Sequence, residues 1–184
     1  MILPIIGYGD PVLRKVGEEI SKDYPNLKEV IANMYETMYN AYGVGLAAPQ
    51  VGLAIRLFIV DSEPFSDSED LTKEEAEQLK GFKKTFINAK ILKEEGEEWG
   101  FNEGCLSIPD LRGKVPRYRH IRVEAWDRNG NPLDFIANDF HARVIQHEYD
   151  HLNGKVYLDR MRDLSTLSFL QEFTRYSMHP PRDD

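Results

Sequence analysis

Between residues 25 and 43, in PNLKEVIANMYETMYNAYG, the apolar positions Leu27, Val30, Ile31, Met34, Met38 and Ala41 recur at helical spacing. This predicts an N-terminal helix with Gly43 as its stop. IRLFIVD (55–61) and KTFINAKIL (84–92) are rich in branched and aromatic residues and read as strands. HIRVEAWDRNGNPLDFIA (120–137) alternates around Ile121, Val123 and Ala125, breaks at RNGN and resumes, so Asn129-Gly130 predicts a hairpin. A helix follows from Asn138 or Asp139 to about Leu152, ended by Asn153-Gly154. A last amphipathic stretch, from about Leu164 to Tyr176, predicts a C-terminal helix.

The segment 65–84 breaks this rhythm, being acidic and polar. Thr72 and Glu75 have capping-box spacing for a short helix ending near Gly81, so the segment is expected to be a solvated surface insertion. With no repeat or low-complexity linker, residues 1–184 read as a single domain. The fold class is α+β, mostly antiparallel strands packed around the helix at 138–152, with an N-terminal and a C-terminal helix.

Composition narrows the function classes. Hydrophobic residues make up 41% of the chain and charged residues 29%, ordinary for a globular domain. A net charge of −8 argues against a general nucleic-acid binder, and no sequence-specific nucleic-acid contact is expected. No apolar run reaches membrane length. The start, MILPIIGYGD, lacks the basic region and long apolar core of a secretory signal, so a cytoplasmic location is the expectation. Cys105 is the sole cysteine, which rules out an internal disulfide. A lone cysteine is commonly a small apolar filler, and its neighbours must decide whether this one does more.

The chemistry starts on the helix at 138–152. Phe140, Val144, His147 and His151 share one face, so two imidazoles line up with an apolar stripe. QHEYDHLNG contains the H-E-x-x-H pattern, in which two histidines one turn apart aim at one metal. A hydrogen-bonded histidine pair on a wet helix is the competing explanation. A catalytic metal usually takes three protein ligands and leaves one position open. The extended motif with a third downstream histidine fails, because Tyr157 stands at that place. Glu172 lies at a plausible distance for a metallopeptidase that uses a downstream glutamate. Cys105, in NEGCLSIPD, offers a thiolate instead, a strong ligand that a bound metal keeps deprotonated. Spacing alone leaves both open.

Three motifs in order, GVGLAAPQ (43–50), EGCLS (103–107) and HEYDHLNG (147–154), closely resemble the signatures of the peptide deformylases, and DPVLR (10–14) resembles that family's N-terminal segment. The likeness runs from about Pro4 to Asp159 and departs at the insertion and in the tail. The resemblance implies a hydrolase that removes the formyl group from the N-formylmethionine of new bacterial polypeptides and releases formate. It implies Cys105, His147 and His151 as ligands of one divalent metal, Fe²⁺ typically, with Ni²⁺, Co²⁺ or Zn²⁺ able to occupy the site. Glu148 then resembles the general acid/base, and Gln50 with the Leu106 N–H resembles the donors to the formyl oxygen. The implied partners are N-formylmethionyl nascent polypeptides, with the tail a candidate ribosome contact.

Other residues can be placed by their chemistry. Gly43 and Gly45 lack side chains, so an extended peptide can approach the backbone there and pair like an added strand. Val44, Ile145, Tyr149 and His147 are candidate walls of an apolar pocket for the methionine side chain. Glu103 and Asp150 can orient an imidazole, or pair with Arg112 or Arg117, unless they are simply solvated.

Overall fold

The computed structural model describes residues 1–69 and 71–169. Helix α1 (Leu27–Asn40) buries Ile31, Met34 and Met38 on the predicted face. Its end differs from the expectation. Ala41 closes the helix with its N–H on the Thr37 and Met38 carbonyls, and the left-handed residue is Tyr42, at φ 56°, not Gly43.

Strands β1 (Gly45–Ala47) and β2 (Leu57–Asp61), helix α2 (Lys73–Leu79), strands β3 (Lys83–Cys105), β4 (Ile108–Trp126) and β5 (Pro132–Asn138), helix α3 (Asp139–Leu152) and strand β6 (Ser168–Phe169) follow. The antiparallel sheet runs β1-β2-β3-β4-β5, and β6 pairs with β4. The two-residue period of β2 sorts its side chains between two layers. Leu57 and Ile59 pack with Ile31, Met34 and Met38 of α1. Phe58 and Val60 pack with Ala142, Val144 and Ile145 of α3. Helix α3 occupies the predicted span and is buried from Ala142 to Leu152, apart from the half-buried Tyr149.

Strand β3 runs thirteen residues beyond the expected end at Leu92. Its second half, KEEGEEWGFNEGC, has no apolar alternation, because this ribbon is largely wet. It is held by pairing with β4, from Lys93↔Arg122 to Cys105↔Ile108, and by exposed ion pairs such as Arg119–Glu97 and Arg162–Glu98. The ribbon ends in the tight turn at Leu106–Ser107, which puts Cys105 at its tip.

The expected C-terminal helix does not begin at Leu164. Leu164–Thr166 is a 3₁₀ turn capped by Asp163, and Ser168–Phe169 pair with Arg112 and Leu111 of β4. Local capping and a free stretch of β4 backbone override the weak helical periodicity there; residues 170–176 of that stretch lie outside the described residues. No described helix is long and apolar enough to cross a membrane.

The insertion is mostly exposed, and α2 carries the reciprocal Thr72–Glu75 capping box. Its far end is anchored, however. Leu79 is buried, and its carbonyl accepts the Ser62 hydroxyl at 2.8 Å. Ser62 Oγ also lies 2.9 Å from His141 Nε2 in the first turns of α3, and the His141 ring stacks on Phe82 at 3.9 Å. Burial, then the charge of Lys84, pushes His141 below its ordinary value of 6.5. As pH falls through about 6.5 the unfolded chain takes the proton first, so stability declines from there down to the folded value. A His141→Gln variant is expected to show a smaller fall in Tm between about pH 7 and about pH 5.5 than the parent. Identical Tm profiles would remove His141 from this account.

Candidate metal centre

The C-terminal half of α3, the tip of the β3–β4 ribbon and the segment after β1 meet at one point. Cys105 Sγ and one nitrogen each of His147 and His151 lie within 4.8 Å of one another. Cys105 and His151 are buried and His147 nearly so. Cys105 Sγ is 3.4 Å from His151 Nε2. His147 Nδ1 lies 2.8 Å from Glu103 Oε1, which leaves Nε2 to face the centre. Side chains 46 and 42 residues apart from Cys105 in the chain thus form one N₂S donor set.

The donor set fits a transition metal on the structure's own terms. His151 Nδ1 and Glu148 Oε2 are buried without a hydrogen-bond partner among the described residues. Burial lowers both imidazoles, but contacts with Cys105 and Glu103 raise His147 well above its ordinary value. His151, pressed also by His147 and Arg117, stays well below. A divalent cation binds such donors in their deprotonated forms and displaces the proton that the surroundings of His147 favour. Two imidazoles and a thiolate suit zinc, iron, cobalt or nickel rather than magnesium or calcium.

Glu103 and Asp150 are both buried, not solvated, and Arg117 joins them. Its guanidinium grips Glu103 through Nε at 2.6 Å and Nη2 at 3.0 Å, and reaches Asp150 through Nη1 at 3.0 Å. Asp150 also accepts from Arg160. Burial alone would raise the Glu103 carboxyl, but Arg117 and His147 outweigh it and hold it far below the usual range. The other suggested partner, Arg112, lies instead against Gly104, where an added Cβ would meet its Nη1 at 1.4 Å.

Sequence reasoning missed Arg143. Fully buried on α3, it donates to Glu103, to the Val115 carbonyl at 2.9 Å and to the Trp99 carbonyl at 2.7 Å. Its guanidinium lies 4.7 Å from the centroid of the Trp99 ring. Its position one turn before His147 was the available signal, but an arginine beside a polar helix face reads as solvated. Ser107 was missed too, and it accepts the Gln50 amide at 3.1 Å.

Gln50 is buried in the turn after β1, and Ala47 N–H holds its Oε1 at 3.0 Å. That contact turns the NH₂ towards the centre, 3.5 Å from Cys105 Sγ. The N-terminal segment holds this wall in place, with Ile6 N–H on the Gln50 carbonyl and Tyr8 N–H on that of Ser107. Leu106 occupies the ribbon turn, and its side chain packs over Gly43, where a Cβ would meet it at 2.7 Å.

Glu148 is buried, with Oε1 4.0 Å from His147 Nε2. Burial pushes its carboxyl up to about 7. The carboxyl lies against Gly45, where a Cβ would meet Oε1 at 2.8 Å and the side-chain carbons at 2.9–3.0 Å. The missing side chain at Gly45 therefore leaves the room that the Glu148 carboxyl occupies. Gly45→Ala is expected to keep its metal but lose about 10²-fold or more in kcat, as the carboxylate is pushed aside. Metal analysis with kinetics on one preparation checks this; a normal kcat would show that Glu148 tolerates displacement.

Val44 and Tyr149 pack against the core cluster that contains Ile145. β1 ends the sheet, and its second edge faces away from β2. A surface depression of about 320 Å³ lined by Ile20, Leu27, Asn88 and Trp126 shares no residue with this centre. The donor chemistry, not concavity, locates the site. Glu172 lies outside the described residues.

The sequence profile of the polypeptide deformylase family matches residues 2–166. A peptide deformylase of Flavobacterium psychrophilum is 70% identical over 161 residues, covering 88% of this chain and 83% of that protein. The crystal structure of the peptide deformylase from Thermotoga maritima superposes with a TM-score of 0.76 at 36% identity, over 89% of this chain and 99% of that one. A class I type b peptide deformylase from Acinetobacter baumannii with Met-Ala-Ser bound gives 0.77 at 30% identity, over 88% and 99%.

Proposed function

Since the chain belongs to the peptide deformylase family, we propose how its own residues divide the work of that reaction. The enzyme removes the N-formyl group from the N-terminal formylmethionine of newly synthesised proteins and releases formate. It is a metal-dependent hydrolase.

Cys105, His147 and His151 would hold one divalent metal per chain, Fe²⁺ in this reading, with Ni²⁺, Co²⁺ or Zn²⁺ accepted by the same donors. When bound, such an ion supplies Lewis acidity and lowers the pKa of water from about 15.7 towards about 7. Glu103 keeps the His147 proton on Nδ1, so Nε2 presents its lone pair, and Arg117 holds Glu103 in place. Glu148 takes the proton of the attacking water and delivers it to the nitrogen that leaves. Its burial and its place beside His147 put the carboxyl where it can do both. The Gln50 amide and the Leu106 N–H donate to the formyl oxygen as its charge grows. The peptide pairs with the backbone at Gly43–Gly45, where the chain enters β1, and its methionine side chain enters an apolar pocket near Val44 and Ile145. New polypeptides as substrate place this work in the cytoplasm.

The convergence of a thiol and two imidazoles beside a buried carboxyl carries this reading. A metallopeptidase using Glu172 is not favoured, since Cys105 already completes the three-donor set. Metal analysis and formate release from formyl-Met-Ala-Ser test it on one sample. One metal per chain, formate released and no internal peptide bond cut are the expected results. Hydrolysis of internal bonds without formate release would restore the metallopeptidase.

A further inference from the structure

Strand β3 pairs with β4 in unbroken register from Glu98↔Tyr118 to Glu103↔Gly113, between bulges at Glu95–Glu98 and Glu103–Cys105. This block is the stem that carries Cys105. Val115 is its one buried apolar side chain, and Gly100, Phe101 and Asn102 are exposed. Strand pairing keeps such a stem together but does not fix its distance from α3, and there is little apolar surface to do so. Polar contacts must.

Several α3 side chains supply them. Gln146 donates to the Tyr118 carbonyl at 2.9 Å, His147 meets Glu103, and Asp150 accepts from Arg117. Each of these reaches one strand. Arg143 reaches both, through Glu103 and the Trp99 carbonyl on β3 and the Val115 carbonyl on β4. It also completes Glu103, whose Oε1 meets His147 Nδ1 and Arg117 Nη2 while Oε2 accepts from Arg117 Nε and Arg143 Nη1. The arrangement is costly, because the cation is buried and its Nε has no partner among the described residues. An apolar side chain of similar volume often serves stability as well or better. What the guanidinium adds is geometry, a planar fork that meets three fixed acceptors.

We propose that Arg143 is a positioning residue, which pins the ribbon stem to α3 and sets Cys105 against His147 and His151 before a metal arrives. The site is then rigid in advance, and binding an ion need not order the ribbon. This rests on the donor set assigned above.

Hydrogen exchange on the whole chain, chelated and Co²⁺-loaded, reads the pin in the parent protein. Backbone amides of residues 98–103 and 113–118 are expected to be as well protected without the ion as with it. Protection that appears only with Co²⁺ means that the ion assembles the site, and overturns the proposal. Competition for Co²⁺ against a chelator then compares the parent with Arg143→Met and Arg143→Lys. Both variants are expected to bind about 10–100-fold more weakly, with a weaker thiolate-to-Co²⁺ absorption band. Lysine keeps the charge but cannot span three acceptors on two strands. A role in stability alone would lower Tm and leave affinity and band at parental values. That result, or full recovery by lysine, overturns the proposal. Should neither variant fold, the exchange result on the parent decides. A parent whose Co²⁺ form lacks the thiolate band overturns the donor set itself.

Discussion

Replacing Glu148 by alanine is expected to leave the metal bound and to cut kcat by about 10²–10⁴, the usual worth of general acid–base help. The metal stays because the donor set of Cys105, His147 and His151 does not include Glu148. Peptide binding stays because the β1 edge and the apolar cluster around Ile145 are untouched. KM therefore changes much less than kcat, the pattern of an interaction made in the transition state. Gly45→Ala displaces the same carboxyl by steric contact, so the two variants should fail alike, and combining them should add little. Metal content and formate-release kinetics on one preparation decide the matter. A metal-loaded alanine variant with near-normal kcat would assign the proton transfer to another group.

Cys105→Ala is expected to fail in a different way, by losing the metal itself. Removing an outer partner of a metal-bound imidazole typically costs about 10–100-fold in affinity, and removing a direct ligand should exceed that. The fold should survive, since Cys105 is a small side chain at the tip of a ribbon held by strand pairing along its length. Dialysed protein should retain a native far-ultraviolet circular dichroism spectrum, hold little metal and release little formate. Full metal loading after dialysis would remove Cys105 from the donor set. The contrast between a loaded, slow Glu148 variant and an empty Cys105 variant separates binding of the ion from use of it.

Much of the architecture is legible along the chain where burial is one-sided. The 3.6-residue stripe of α1, the branched run of β2, the Asn129-Gly130 turn and the span of α3 all follow from local chemistry, and each occupies the expected residues to within a few positions. The His147–His151 pair is legible for the same reason, because helical spacing alone puts both rings on one face. Cys105 is harder. Its role depends on a β-ribbon whose second half has no hydrophobic alternation, and its motif identified it only through likeness to a family.

What the sequence by itself determined is the set of elements and the chemical groups they carry: α+β segments, an imidazole pair, a lone thiol, and glycines where a backbone can be approached. The tertiary structure decided which of these meet. Pairing of β3 with β4 carried Cys105 to His151, 46 residues away. It buried Glu103, Asp150, Arg117 and Arg143, residues whose charge reads as solvated until their partners are known. It set Glu148 against Gly45 so that a missing side chain became a seat for a carboxyl. Local propensity depends on neighbours within a few residues, so it can be read from the chain. Burial of charge, convergence of ligands and steric exclusion depend on groups far apart in sequence, and only packing brings those together.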